Sequence, residues 1–130
     1  MKNGCEIEIR EPGKEPIRLY KESGSGPAFV AILFREARSL AMKGKINDVA
    51  SFMSENTRFK PVKRILYENI KYFCELDITE NYDGWLMTIG ISSAGKIRHL
   101  LDIPAKKLTE DTLEHLIALE QQDLIGATEF

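Results

Sequence analysis

Only two of the 130 residues are cysteine, Cys5 and Cys74. A secreted domain of this size held by disulfides carries more, so both thiols are expected to be reduced and the location cytoplasmic. Long apolar runs are missing too. The longest, residues 27–34, stops at Arg35, far short of the roughly 20 residues that cross a bilayer. It also lies too deep, behind acidic and strand-like residues, to read as a secretory signal, so no membrane partner is expected. Metal-ligand spacing is absent as well: Cys5, Cys74, His99 and His115 each stand alone, and no metal or other cofactor is expected. No cysteine–histidine or serine–histidine motif is readable. The Ser23-Gly24-Ser25-Gly26 stretch lacks the lysine of a phosphate-cradling loop, and Pro27 withdraws one donor. Glu75 and Asp77 are ordinary surface chemistry unless a pocket drives their pKa values apart. The expectation is a protein that is not an enzyme.

With 43% hydrophobic and 29% charged residues, the composition is that of one globular domain spanning residues 1–130. The formal net charge of −2 conceals segregation. Residues 1–34 hold five basic and five acidic side chains, residues 35–71 nine against four, and residues 72–130 four against eleven. The middle can meet an anion, and the last third repels one.

Period-two alternation of Cys5, Ile7 and Ile9 with Glu6, Glu8 and Arg10 predicts a half-buried strand. Pro12-Gly13 turns the chain into a second strand at 17–20, giving a β-hairpin over residues 1–22. Pro27 suits the first turn of a helix through Met42, and Gly44 suits its left-handed end. Asn47 is expected to cap a short helix carrying Val49, Ala50, Phe52 and Met53, with a polar turn over 54–59. Residues 60–71 read as a third helix, completing a helical basic middle at 27–71. Antiparallel strands follow over 72–103, ended by Pro104. Thr109 then caps a C-terminal helix over 109–125, with Leu108 and Leu113 as a hydrophobic staple. The expected fold class is α+β: an N-terminal β-hairpin, three central helices, a two- or three-stranded antiparallel sheet and a C-terminal helix.

Wound as a helix, residues 60–71 separate two chemistries. Val62, Ile65, Leu66 and Ile70 fall on one side, and Lys60, Lys63, Arg64, Tyr67 and Lys71 within an arc of roughly 100° on the other. Four cations and a phenol without a carboxylate among them point to a polyanion. Over residues 46–91 the pattern resembles winged helix-turn-helix DNA-binding domains. Ile46, Val49-Ala50 and Met53 match that family's second helix, and Val62, Arg64 and Leu66 its recognition helix. The resemblance implies a regulator whose basic face, with Arg58, Lys60, Lys63, Arg64, Tyr67 and Lys71, meets nucleic acid. Against a nucleic-acid partner stand Glu80 and Asp83 at the expected wing tip, since carboxylates repel phosphates. The alternative is a protein–protein interaction module (an adaptor, chaperone or inhibitor) that grips another protein.

The last helix offers an apolar stripe of Leu113, Leu116 and Ile117, and the tail adds Leu124 and Phe130. One stripe docks a helix on its own domain, and a second invites a partner. The expectation is a homodimer whose interface includes these five residues.

Overall fold

The computed structural model describes residues 4–21, 26–62, 70–93 and 96–122. The hairpin pairs β1 (Gly4–Arg10) with β2 (Ile17–Lys21), placing Cys5 opposite Lys21 and Ile9 opposite Ile17. Gly13 supplies the positive φ of 72° that the turn requires. Helix α1 (Pro27–Met42) follows, with proline in its first turn, and Gly44 at φ 70° lies just beyond its end. Helix α2 (Val49–Thr57) is capped by Asp48, whose carboxylate accepts from the Ser51 amide. Asn47 is therefore not the cap. The residues expected as a polar turn mostly belong to α2, which ends where Arg58 adopts the left-handed conformation at φ 60°.

Strand β3 (Lys60–Pro61) pairs with β2, and β4 (Ile70–Asp77) runs parallel to β1. Strands β5 (Leu86–Ser93) and β6 (Lys96–Pro104) complete an antiparallel meander with a register irregularity at Ile89/Gly90. Helix α3 (Glu110–Gln121) is capped by the Thr109 hydroxyl, which accepts from the Thr112 amide. Leu108 and Leu113, the two staple residues, are both buried. Among the described residues no helix is long and apolar enough to cross a membrane.

These strands form one six-stranded mixed sheet of order β3-β2-β1-β4-β5-β6. That corrects the expected fold. The class is α+β, but there is no separate hairpin beside a two- or three-stranded antiparallel sheet, because β1 joins both groups at the centre through a parallel pairing with β4. The third central helix is also corrected at its ends: Lys60 and Pro61 lie in β3, and Ile70 and Lys71 in β4. Residues 63–69 lie outside the described residues. A local apolar period can be met by a helix, yet here both ends are held by hydrogen-bonding partners distant in sequence. Burial on β1 follows from its central place. It is not half-buried: Cys5, Ile7 and Ile9 are buried on one side, and Glu6 and Glu8 on the other.

The three helices among the described residues pack on the face carrying Cys5, Ile7 and Ile9, with α1 between α2 and α3. Phe34, Val30, Met53, Leu76, Met87, Ile89 and Leu116 close this core, and the Phe34 ring stacks on Trp85 at 5.7 Å. Two carboxylates tie the layer together over long range. Glu11, just past β1, accepts from the Val49 and Ala50 amides at the start of α2. Glu120, near the end of α3, accepts from the Ala28 amide at the start of α1 at 3.0 Å. Both place negative charge where helix amides lack partners.

Candidate functional site

Among the described residues, no helix covers the sheet's second face. The register sets its central row. Glu6 stands between Tyr20 of β2 and Phe73 of β4, and Glu8 between Arg18 and Glu75. Arg10 stands beside Asp77. Thr88 and Asp102 extend the row across β5 and β6, hydrogen bonded to each other at 2.8 Å. Lys60 lies opposite Tyr20 at the far edge. Phe73 is buried yet lies outside the main apolar cluster, as its position on this face requires.

Glu8 and Glu6 show two fates of a carboxylate on one strand. Each Glu8 oxygen is met by an arginine: Arg10 Nε donates to Oε2 at 2.8 Å, and Arg18 Nε to Oε1 at 3.0 Å. Arg10 also lies 3.7 Å from Glu75, and its acidic neighbours, Glu8 first, push its pKa up. Glu6 is only 1% exposed, and neither of its oxygens has a hydrogen-bond partner. Burial raises its pKa to about 7, a rise that Arg18 opposes and Glu8 reinforces. A buried carboxyl without a donor is a costly exception in a folded protein. The alternating pattern places Glu6 on a strand but contains no signal that its neighbours leave it unpaired.

Of the six residues expected to form a cationic surface, three lie among the described residues. Arg58 is exposed at the end of α2, and Lys60 is exposed in β3. Lys71 lies in β4, with its Nζ 5.4 Å from the centre of the Tyr72 ring. Two strands separate β3 from β4, a gap of about 14 Å at ordinary strand spacing. Lys63, Arg64 and Tyr67 lie outside the described residues. The expected dimer stripe faces inward: Leu113 and Leu116 are buried, and Ile117 packs against the same core. Leu124 and Phe130 lie outside the described residues.

A second concavity, about 430 Å³, opens beyond the carboxyl ends of β1 and β4, floored by Ile46, Val49, Ile78 and Trp85. Three of its polar side chains are engaged by backbone groups. Glu11 caps α2, the Tyr82 hydroxyl donates to the Ala41 carbonyl, and Trp85 Nε1 donates to the Thr79 carbonyl. Cys5 and Cys74 are free thiols in the core; a hydrogen bond with Cys5, then burial, pushes the Cys74 thiol well up. Among the described residues no three histidine, cysteine or acidic side chains are grouped to hold a metal ion. Comparison of the chain with protein-family models, curated proteins and solved structures found no match.

Proposed function

We propose that this is a non-enzymatic interaction module that grips another protein through the sheet face opposite its described helices. Glu6 is the observation that carries the reading: a buried carboxyl with neither oxygen satisfied, set in a row of charged side chains. Such a group weakens the isolated fold, and a partner that supplies its missing donors removes the cost on binding. The surrounding acids, Glu8, Glu75, Asp77 and Asp102, make this face a poor surface for phosphates.

The test compares proteins captured by the wild type, by Thr88→Arg/Asp102→Arg on the sheet face, and by Glu36→Arg/Glu55→Arg on the helix layer. The captured protein is then purified and its affinity measured. A partner that loses at least about tenfold to the face variant and binds the helix-layer variant normally supports the reading. Retention by the face variant overturns it. So does salt-sensitive binding of duplex or single-stranded nucleic acid that Arg58→Ala/Lys60→Ala abolishes.

A further inference from the structure

Strands β1 and β4 lie side by side and parallel, but the chain leaves them in opposite directions. Beyond Arg10 it turns back into β2 on one side of the pair, and beyond Asp77 it continues into β5 on the other. Connections that diverge from neighbouring parallel strands cannot fill the space between them, which is why ligand crevices form at such points. Here that space is the cavity of about 430 Å³, within the size range of ordinary small-ligand sites. Glu11 and Ile78, the first residues past each strand, both line it, and the end of α1 and the start of α2 close a third side. Ligand binding there is independent of the sheet-face reading above.

We infer that this cavity binds a small organic cation, an amine carried on an aromatic body. The floor of Ile46, Val49, Ile78 and Trp85 calls for the body. Tyr82 and Trp85 already meet at 5.8 Å with rings tilted by 48°, and a third ring against them adds the same kind of contact. The polar groups of the inner wall are matched from within the chain. Glu11 is held by the α2 amides, and Tyr82 and Trp85 donate to carbonyls, so they demand nothing of an apolar body.

Charge at the mouth selects the cation. The charged side chains lining the cavity are Glu11, Lys14 and Glu80. Lys14 Nζ lies 3.8 Å from Glu11 and 3.7 Å from Asp48, so the one lining cation stands between two acids. Glu80 is exposed and, among the described residues, has no hydrogen-bond or ion-pair partner. Asn47, which also lines the cavity, is equally open and can accept an N–H through its amide oxygen. Lys43 and Lys45 flank Gly44 but are exposed and do not line the cavity. The wall at Ala41 is the carbonyl end of α1, which adds the negative end of a helix dipole.

Trp85 is the sole tryptophan of the chain, so its indole N–H gives a single resonance from the cavity floor. The probe is phenethylamine, titrated at low salt into nitrogen-15-labelled protein. Two controls accompany it: 3-phenylpropionate, a similar body with an anionic end, and n-butylamine, the same charge without a ring. Phenethylamine should shift the Trp85 resonance saturably, with a Kd of about 1 mM as befits so small a ligand. Each control should bind at least about tenfold more weakly. Nuclear Overhauser effects should join the phenethylamine ring to the Ile46 and Ile78 methyl groups. Glu80→Lys, at an exposed position off the floor, should keep the wild-type Tm and weaken phenethylamine about tenfold, with Glu80→Gln in between. A Trp85 resonance unmoved at about 10 mM phenethylamine overturns the proposal. So do equal binding of either control, Overhauser effects confined to residues elsewhere, or wild-type affinity in Glu80→Lys.

Discussion

Replacing Glu6 by glutamine should make the protein more stable, by an amount set by pH. The two side chains have nearly the same shape, so packing changes little and the difference isolates the ionisation. In the folded chain the carboxyl titrates at about 7, against an ordinary value of 4.5. Below pH 4 it is neutral in both folded and unfolded states, and its ionisation contributes nothing. Between these values the unfolded chain releases the proton while the folded chain keeps it, so wild-type stability falls as pH rises. Above pH 7 the loss levels off at about 3 kcal/mol, at 1.36 kcal/mol per pKa unit. Glutamine has no such term, and every other carboxylate is common to both proteins and cancels. Its advantage over wild type should therefore grow by about 3 kcal/mol from pH 4 to pH 8. For a chain of 130 residues that corresponds to about 10 °C in melting temperature, taking roughly 2.1 cal/mol/K of unfolding entropy per residue. Urea unfolding followed by circular dichroism at a series of pH values gives both curves. A difference that stays flat with pH, or a variant that loses ground as pH rises, refutes the reasoning, because it would mean that the Glu6 charge is already satisfied in the free protein.

Two further outcomes follow from the helix layer. A Cβ on Gly26 would collide with the Glu120 carboxylate that accepts from the Ala28 amide, so Gly26→Ala and Glu120→Ala each remove the same bond. Each should cost about 1–2 kcal/mol in urea unfolding, and the double variant should cost little more than either alone; additive losses would show that the bond is not shared. The two thiols are fully buried and that of Cys74 is pushed well up. In the native state both should resist a thiol reagent such as iodoacetamide and react together once the protein is denatured, as mass spectrometry will report; fast native labelling would refute their burial.

Much of the local structure is legible in the chain. Alternation at residues 5–10 predicts a strand, Pro27 and Gly44 bracket α1, and Thr109 caps α3, because each signal concerns atoms within a few residues of one another. The burial of Leu113 and Leu116 follows from one helical stripe in the same way. What periodicity does not contain is the identity of a strand's neighbours. Cys5–Arg10 alternates as an edge hairpin would, yet a parallel partner some 70 residues on makes β1 the middle of the sheet. The ends of residues 60–71 belong to β3 and β4 because β2 and β1 hold them by backbone hydrogen bonds, which no amphipathic pattern encodes. Glu6 and Glu8 are equivalent on paper, the same residue two apart on one face of one strand. Tertiary structure alone distinguishes them: the register sets Arg18 beside Glu8 and leaves Glu6 between a phenol and a phenyl ring, so one carboxylate is satisfied and the other is not.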